Sequence, residues 1–342
     1  MIVVTGGTGL VGSHLLFELT STGNRVKAIR RNSSDTNSVL RVFKYYSDKA
    51  EELFKLIEWV EGDVLDLISL EDAFEGGTKV FNLASYVSFN NREKKKLLNI
   101  NIHGTENVVN ACLNKQVQKL CHVSSISALG SSLDDLPVTE ELIWSPSKRK
   151  SYYSISKFHS EMEVWRGIED GLNAVIVNPS VILGPGFWDK GSSQLFNSIN
   201  NGLKYYPPGT TGFVDVRNVA KIMVLLMESD ISRERFILNS ENCEYKSIFK
   251  LIAKSLNVME PKKELKWQLA NWAWKLELIR SLVLGKKPKI TRETMSMAFK
   301  QLQYSNDKIK KRLCFNFIPL EKSIEDTARL FIKDKERGKL IK

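Results

Sequence analysis

The chain opens on a short apolar run, Met1 to Thr5, that passes without a spacer into Gly6-Gly7-Thr8-Gly9-Leu10-Val11-Gly12. Few patterns restrict a fold more. Glycines at this spacing let the chain turn tightly after a strand, bring backbone N–H groups against a pyrophosphate, and let the next helix lie close to the sheet. A side chain at any of Gly6, Gly9 or Gly12 would obstruct one of those contacts. A glycine turn alone is weak evidence, but here a strand precedes it, the apolar-periodic segment Leu10 to Leu19 follows, and Gly23 stands where a helix C-cap belongs. Thr8, Leu10 and Val11 therefore join the three glycines as a candidate dinucleotide grip.

Short β-rich runs near 1–5, 25–30, 57–61, 79–84, 118–124 and 173–178 alternate with helical patterns. Such alternation predicts an α/β fold, a Rossmann-type doubly wound parallel sheet with helices on both faces. The stretch 35–56 is longer than a simple connection and is expected to hold a small peripheral helix. After Pro179 the chain becomes irregular through Gly184-Pro185-Gly186 and Pro207-Pro208-Gly209, then returns to strand and helix at 213–239. We therefore expect a nucleotide-binding domain over 1–178, rejoined by 213–240. A smaller, mostly helical substrate-binding lobe is expected from 179–212 and 241–342.

The 342 residues are 42% hydrophobic, enough for a sizeable core, with no low-complexity signature of disorder. No apolar run approaches the roughly 20 residues of a membrane span. The first strand begins at residue 1, which leaves no room for a targeting peptide and makes the cytoplasm the expected location. Cys112, Cys121, Cys243 and Cys314 lack metal-ligand spacing, and three lie in apolar stretches, so buried reduced thiols are expected. His14, His103, His122 and His159 also lack ligand spacing and read as structural; no metal site is expected. The net charge of +11 is concentrated: residues 1–259 balance 29 basic against 29 acidic, while 260–342 hold 21 against 10. A solvated face, an anionic substrate or an acidic membrane surface would each account for that. Without aromatic-basic interleaving or a nucleic-acid motif, nucleic acid is not expected as a partner.

Chemistry beside a dinucleotide is suggested by Tyr153-Ser154-Ile155-Ser156-Lys157, which sets a phenol and an ammonium at i and i+4 on one helix face. A free phenol titrates near ~10, and a neighbouring positive charge favours phenolate. An oxidised nicotinamide would act in the same direction, so Tyr153 fits a general acid in carbonyl reduction and a base in alcohol oxidation. The partner is Ser125, within Ser124-Ser125-Ile126-Ser127-Ala128-Leu129-Gly130, after the fifth strand where open α/β sheets place their crevice.

In this order, glycine ladder, serine turn and Tyr-x-x-x-Lys, the chain resembles the extended short-chain dehydrogenase/reductases within the NAD-dependent epimerase/dehydratase group. It is most similar to their dihydroflavonol-reductase and hydroxysteroid-dehydrogenase-like branch. The resemblance also rests on Gly62-Asp63-Val64, Asn82-Leu83-Ala84-Ser85, Asn101-Ile102-His103-Gly104-Thr105, Asn178-Pro179-Ser180 through Gly184-Pro185, Phe213-Val214-Asp215-Val216-Arg217 and Lys287-Pro288-Lys289-Ile290-Thr291. It implies cofactor contacts at Asp63 (to adenine), Val64, Leu83, Ala84, Ser85, Pro179 and Val181. It further implies that Lys157 binds the nicotinamide ribose and that Asn101 supports a hydrogen-bonded proton relay. A homodimer stays open, dimers being frequent in the group. The chain departs from the pattern at Asn178, where an arginine is usual, and at Asn218, where an aspartate is. Ile126-Ser127 replaces the Asp-Glu pair of sugar-nucleotide dehydratases, which disfavours dehydration.

The second strand ends Ile29-Arg30-Arg31 rather than on a carboxylate. Two guanidinium groups suit a 2′-phosphate, so NADP is expected, with Asp35 keeping NAD as the alternative. In the final quarter Leu265, Leu269, Trp272, Leu276, Ile279 and Val283 recur at helical spacing. Core packing is the favoured account, against a lid over an apolar substrate or a helix lying on a membrane surface. The expected activity is reduction of an aldehyde or ketone, or oxidation of the alcohol, on a small, largely apolar molecule. A nucleotide-sugar epimerase is the alternative; a nucleotide-sensing protein without catalysis fits poorly with Ser125, Tyr153 and Lys157 together.

Overall fold

The structure, a computed structural model, describes residues 1–130, 136–142, 144–145, 150–284, 288 and 290–338, with the side chains of 282–284 excluded. The first half alternates β1 (Ile2–Thr5), α1 (Leu10–Ser21), β2 (Val26–Arg30), α2 (Asn37–Tyr46), α3 (Ala50–Phe54), β3 (Ile57–Glu61), α4 (Leu67–Phe74), β4 (Lys79–Asn82), α5 (Lys94–Leu98), α6 (Gly104–Asn114), β5 (Lys119–Val123), α7 (Tyr152–Glu169) and β6 (Ala174–Pro179). Then follow β7 (Val181–Leu183), α8 (Gln194–Asn200), β8 (Tyr205–Tyr206), β9 (Thr210–Asp215), α9 (Val216–Glu228), β10 (Glu234–Leu238), β11 (Glu241–Glu244) and α10 (Tyr245–Ser255). The chain ends through β12 (Lys263–Glu264), α11 (Trp267–Leu284), α12 (Arg292–Ala298), α13 (Asp307–Leu313) and α14 (Leu320–Glu336).

Seven strands form one sheet in the order β3-β2-β1-β4-β5-β6-β10, every neighbouring pair parallel. All residues of β1 and β6 are buried, which explains why both read as continuous apolar runs rather than alternating ones. Helices α1, α2 and α9 bury one face of the sheet and α4, α6 and α7 the other. This is a Rossmann-like, doubly wound α/β fold. Strand order reverses between β1 and β4, so a crevice opens above their carboxyl ends. Outside the main sheet, β7 and β9 run parallel, β11 pairs antiparallel with β9, and α8, α10 and α14 pack around them on a separate apolar cluster.

Two expectations are corrected. The stretch 35–56 is not peripheral: it forms α2 and α3, and Val39, Val42 and Phe43 of α2 are fully buried. Phe43 packs edge-on against Phe17 of α1 and Phe54 of α3, at ring distances of 5.3 and 6.0 Å. The apolar side of α11 does not enter a core either. Leu269, Trp272, Leu276 and Ile279 are exposed, while Ala270 and Ser281 are buried and Ala273, Trp274 and Glu277 half-buried. Helical spacing identified a continuous stripe, but small residues on the other side let the helix settle close to the protein by that side. Val283, with its side chain undescribed, and Lys287 and Lys289 of the 287–291 segment lie outside this account; Thr291 caps α12 with its side chain.

The cysteines divide: Cys112 and Cys121 are buried, Cys243 is half-buried and Cys314 exposed, all four free. No helix among the described residues is long and apolar enough to cross a membrane.

Candidate active site

The glycine turn adopts the geometry its residue types permit. Gly6 has φ +69°, and a Cβ there would lie 2.6 Å from the backbone nitrogen of Ala84, in the loop after β4. A Cβ on Gly12 would sit 2.2 Å from the carbonyl oxygen of Gly6, so α1 starts directly against the turn. The two loops are also tied by Thr5, whose hydroxyl bonds Asn82 Oδ1 at 2.7 Å and accepts from the backbone N–H groups of Leu83 and Ala84, each at 3.2 Å. Gly9 caps α1 with no side-chain bond, whereas α4, α7 and α9 are capped by Asp66, Ser151 and Asp215. The first N–H groups of α1 thus face a partly open rim formed by Gly6, Thr8, Gly9, Leu10 and Val11. Such a rim suits a phosphate group.

Along the crevice, Arg30 is half-buried at the end of β2, and its Nε is buried with no hydrogen-bond partner; Arg31 beside it is exposed. Asp63 and Val64 follow β3. One Asp63 oxygen accepts from Leu65 N–H, and the Val64 carbonyl accepts from Asn107. Buried Pro179 and half-buried Val181 lie where β6 passes into β7. The orphaned Arg30 Nε, the uncapped helix and the glycine contacts together fit a dinucleotide carrying phosphate.

Tyr153, Lys157 and Glu161 occupy one face of α7 at successive four-residue steps. The Tyr153 phenol neighbours the hydroxyl of Ser125, which follows β5. Ser125 Oγ also accepts from Ser127 N–H at 3.1 Å, fixing the hydroxyl at the start of a short 3₁₀ turn. Burial pushes the phenol above its ordinary value of 10, and the Ser125 hydroxyl opposes that shift. This differs from the downward shift that spacing suggests, because Lys157 turns its Nζ to the Val123 carbonyl at 3.1 Å. Burial in turn lowers Lys157 from 10.5 to about 8, with the negative charge of Glu161 opposing.

Asn101 lies in a single π-helical turn, Asn99–His103, and is buried. Its amide donates to the Tyr86 carbonyl at 3.0 Å and to Ser156 Oγ at 2.9 Å. Its oxygen accepts from Tyr86 N–H at 2.7 Å and from Ser85 Oγ at 3.2 Å. The side chain therefore clamps the 85–86 loop to α7. Phe89, further along that loop, packs against the Tyr153 ring at 5.3 Å.

Beneath these groups lies a network that motif reading did not single out. Glu161 Oε2 accepts from Ser124 Oγ at 2.7 Å and Asn178 Nδ2 at 2.8 Å, while Oε1 pairs with Arg235 at 2.9 Å. Arg235 comes from β10, which lies beside β6 in the sheet. The arginine missing at 178 is replaced by one on the adjacent strand, and Asn178 also donates to the Ser125 carbonyl at 3.0 Å. His122 lies in the same layer. Its Nδ1 meets Asn82 at 3.1 Å, its Nε2 has no partner, and burial lowers its pKa to about 3. A carboxylate four residues after Lys157 was the available signal for Glu161; no local signal marked Arg235.

Comparison with known proteins bears on family and fold. Residues 2–238 match the model of the NAD dependent epimerase/dehydratase family. The chain is 29% identical over 245 residues to sterol demethylase protein B of Methylococcus capsulatus, covering 70% of each. It is 27% identical over 338 residues to a putative dihydroflavonol 4-reductase of Synechocystis, covering 96% of this chain and 93% of that one. The crystal structure of gox2253 superimposes over 100% of this chain and 99% of its own, with a TM-score of 0.80 at 28% identity. The chain belongs to the NAD dependent epimerase/dehydratase family, among the extended short-chain dehydrogenase/reductases similar to dihydroflavonol reductase.

Proposed function

We propose that the protein is an NADP-dependent oxidoreductase that reduces an aldehyde or ketone on a largely apolar molecule, or oxidises the corresponding alcohol. The neighbouring hydroxyls of Ser125 and Tyr153, with Lys157 one turn further along the same helix face, carry this reading. A carbonyl oxygen bonded by both hydroxyls would be polarised by Ser125 and protonated by Tyr153 as charge develops on it. Lys157, with its pKa lowered to about 8, still keeps its proton at neutral pH, and its Nζ, held on the Val123 carbonyl, would serve the nicotinamide ribose rather than the phenol. The cofactor, when bound, supplies the hydride. Gly6, Thr8, Gly9, Leu10, Val11 and Gly12 would hold its pyrophosphate, Asp63 and Val64 the adenine side, Leu83, Ala84, Ser85, Pro179 and Val181 its nicotinamide half, and Lys157 the ribose. Asn101 acts by holding the 85–86 loop on α7. The substrate lobe is assigned to 179–212 and 241–342, with the nucleotide domain over 1–178 and 213–240.

The preference for NADP rests on Arg30, whose buried Nε lacks a partner, with Arg31 beside it and no carboxylate at the strand end. Arg30→Ala is expected to weaken NADPH binding by about tenfold or more, a charge-assisted hydrogen bond being involved, and to leave NADH nearly unchanged. Equal dissociation constants before and after the substitution would remove the assignment. Two relatives bear the names of enzymes of sterol and dihydroflavonol chemistry, so polycyclic and aromatic carbonyls form the first panel. Steady NADPH consumption with one of them is the expected result. Turnover of a nucleotide sugar with no net change in coenzyme would establish the epimerase reading instead.

A further inference from the structure

Helix α11 presents its apolar side outward. Leu269, Trp272, Leu276 and Ile279 recur at steps of three and four residues and are 42, 64, 62 and 56% exposed. The protein-facing side holds Ala270, Ala273, Trp274 and Glu277, with Arg280 paired to Glu277 at 2.7 Å. At the start of the helix Trp267 packs edge-on against Phe299, just beyond α12, at 5.2 Å. The helix is thereby attached by one side and bare on the other. A surface that merely faces water has no reason to align four large apolar residues.

The approach to the helix carries more lysine than carboxylate. Lys262, Lys263 and Lys266 stand exposed where the chain enters α11, and exposed Lys275 lies over Trp272 at 5.5 Å and Trp274 at 5.9 Å. None of these four lysines is in an ion pair among the described residues, whereas lysines and arginines elsewhere repeatedly are. Glu260 and Glu264 share the approach and leave it net basic. The same quarter of the chain carries the whole excess positive charge of the molecule.

We infer that α11 docks flat on a membrane surface carrying anionic lipid, with the Leu269–Trp272–Leu276–Ile279 stripe in the headgroup boundary and the neighbouring lysines on lipid phosphates and carboxylates. An exposed apolar row that includes a tryptophan, with lysine beside it, is a surface that suits reversible binding at an anionic lipid interface. A second copy of the chain is a poorer occupant on two grounds. The four residues expose on the order of 400–500 Å², about half of what a standard interface takes from each partner. A self-complementary contact through the stripe would also bring like charges together. The inference stands apart from the proposed reaction, because it uses no residue of the glycine turn or of the Ser125–Tyr153–Lys157 group.

The test is flotation of the whole protein with phosphatidylcholine vesicles, with and without phosphatidylglycerol or phosphatidylserine. Partitioning onto the anionic vesicles at low salt is expected, falling as salt rises. Trp272→Glu/Ile279→Glu, at exposed positions, is expected to abolish it while leaving NADPH affinity and unfolding midpoint at wild-type values. Lys262→Gln/Lys266→Gln is expected to weaken partitioning by about fivefold per charge removed and only on anionic vesicles. Absence of flotation at low salt, or flotation that survives Trp272→Glu/Ile279→Glu, overturns the inference. So does a dimer in sedimentation equilibrium that this double variant dissolves without any vesicle binding, which would give the stripe to a second copy. A change in KM for a soluble carbonyl without vesicle binding would make α11 a lid and overturn it equally.

Discussion

Glu161 has a side chain only 2% exposed, and its charge is accommodated by Arg235 together with the Ser124 and Asn178 donors. Arg235→Leu is expected to cost about 3–5 kcal/mol in chemical unfolding, the penalty of leaving a buried carboxylate without its cation. Adding Glu161→Gln is expected to restore much of that loss, since an amide needs no counter-charge. A loss within about 1 kcal/mol, the range of an exposed pair, would show that the network does not have this role. The residue scale also marks the limit of motif reading. Tyr153 and Lys157 were legible because one helix sets their spacing. Arg235 was not, because it is brought to Glu161 by the parallel pairing of β10 with β6, which is a tertiary event. Asn178, a departure in the sequence, becomes intelligible once that neighbouring guanidinium is known.

Among the elements, the strands and the α1 turn were readable because buried parallel strands are uniformly apolar and the glycines admit few alternatives. Helices α2 and α11 were misjudged in opposite directions: the stretch 35–56 was placed by its length as a connection, and the helical spacing of α11 identified an apolar face but not what covers it. Phe43 on α2 is fully buried between α1 and α3. Phe43→Ala should therefore destabilise the protein by about 3–5 kcal/mol, the cost of an aromatic-sized cavity. A value near zero in chemical unfolding would return α2 to the periphery. By contrast, the exposed positions on α11 should tolerate polar substitution with little loss of stability.

For the molecule as a whole, the acid limb of stability follows from two histidines that fold in the neutral form. Burial lowers His14 from 6.5 to about 4 and His122 to about 3. Below 6.5 the unfolded chain binds protons at these positions that the folded chain refuses, so stability is lost as pH falls toward 4. Unfolding midpoints measured across that interval should decline steadily, and His122→Asn should flatten the decline. A plateau down to about pH 4.5 in the unmodified protein would contradict the burial of both rings. Neither shift was visible in the sequence, which showed only that the histidines lacked metal spacing; the cause is burial, which tertiary packing creates.

In the proposed reaction the phenol of Tyr153, beside Ser125, gives its proton to the oxygen of the carbon receiving hydride. Single-turnover oxidation of bound NADPH by a reactive carbonyl, compared between the unaltered protein and Tyr153→Phe, tests it most directly. With Tyr153→Phe a rate lower by about 10²–10⁴-fold is expected, with NADPH affinity unchanged. A Tyr153→Phe protein that turns over at the original rate would contradict it.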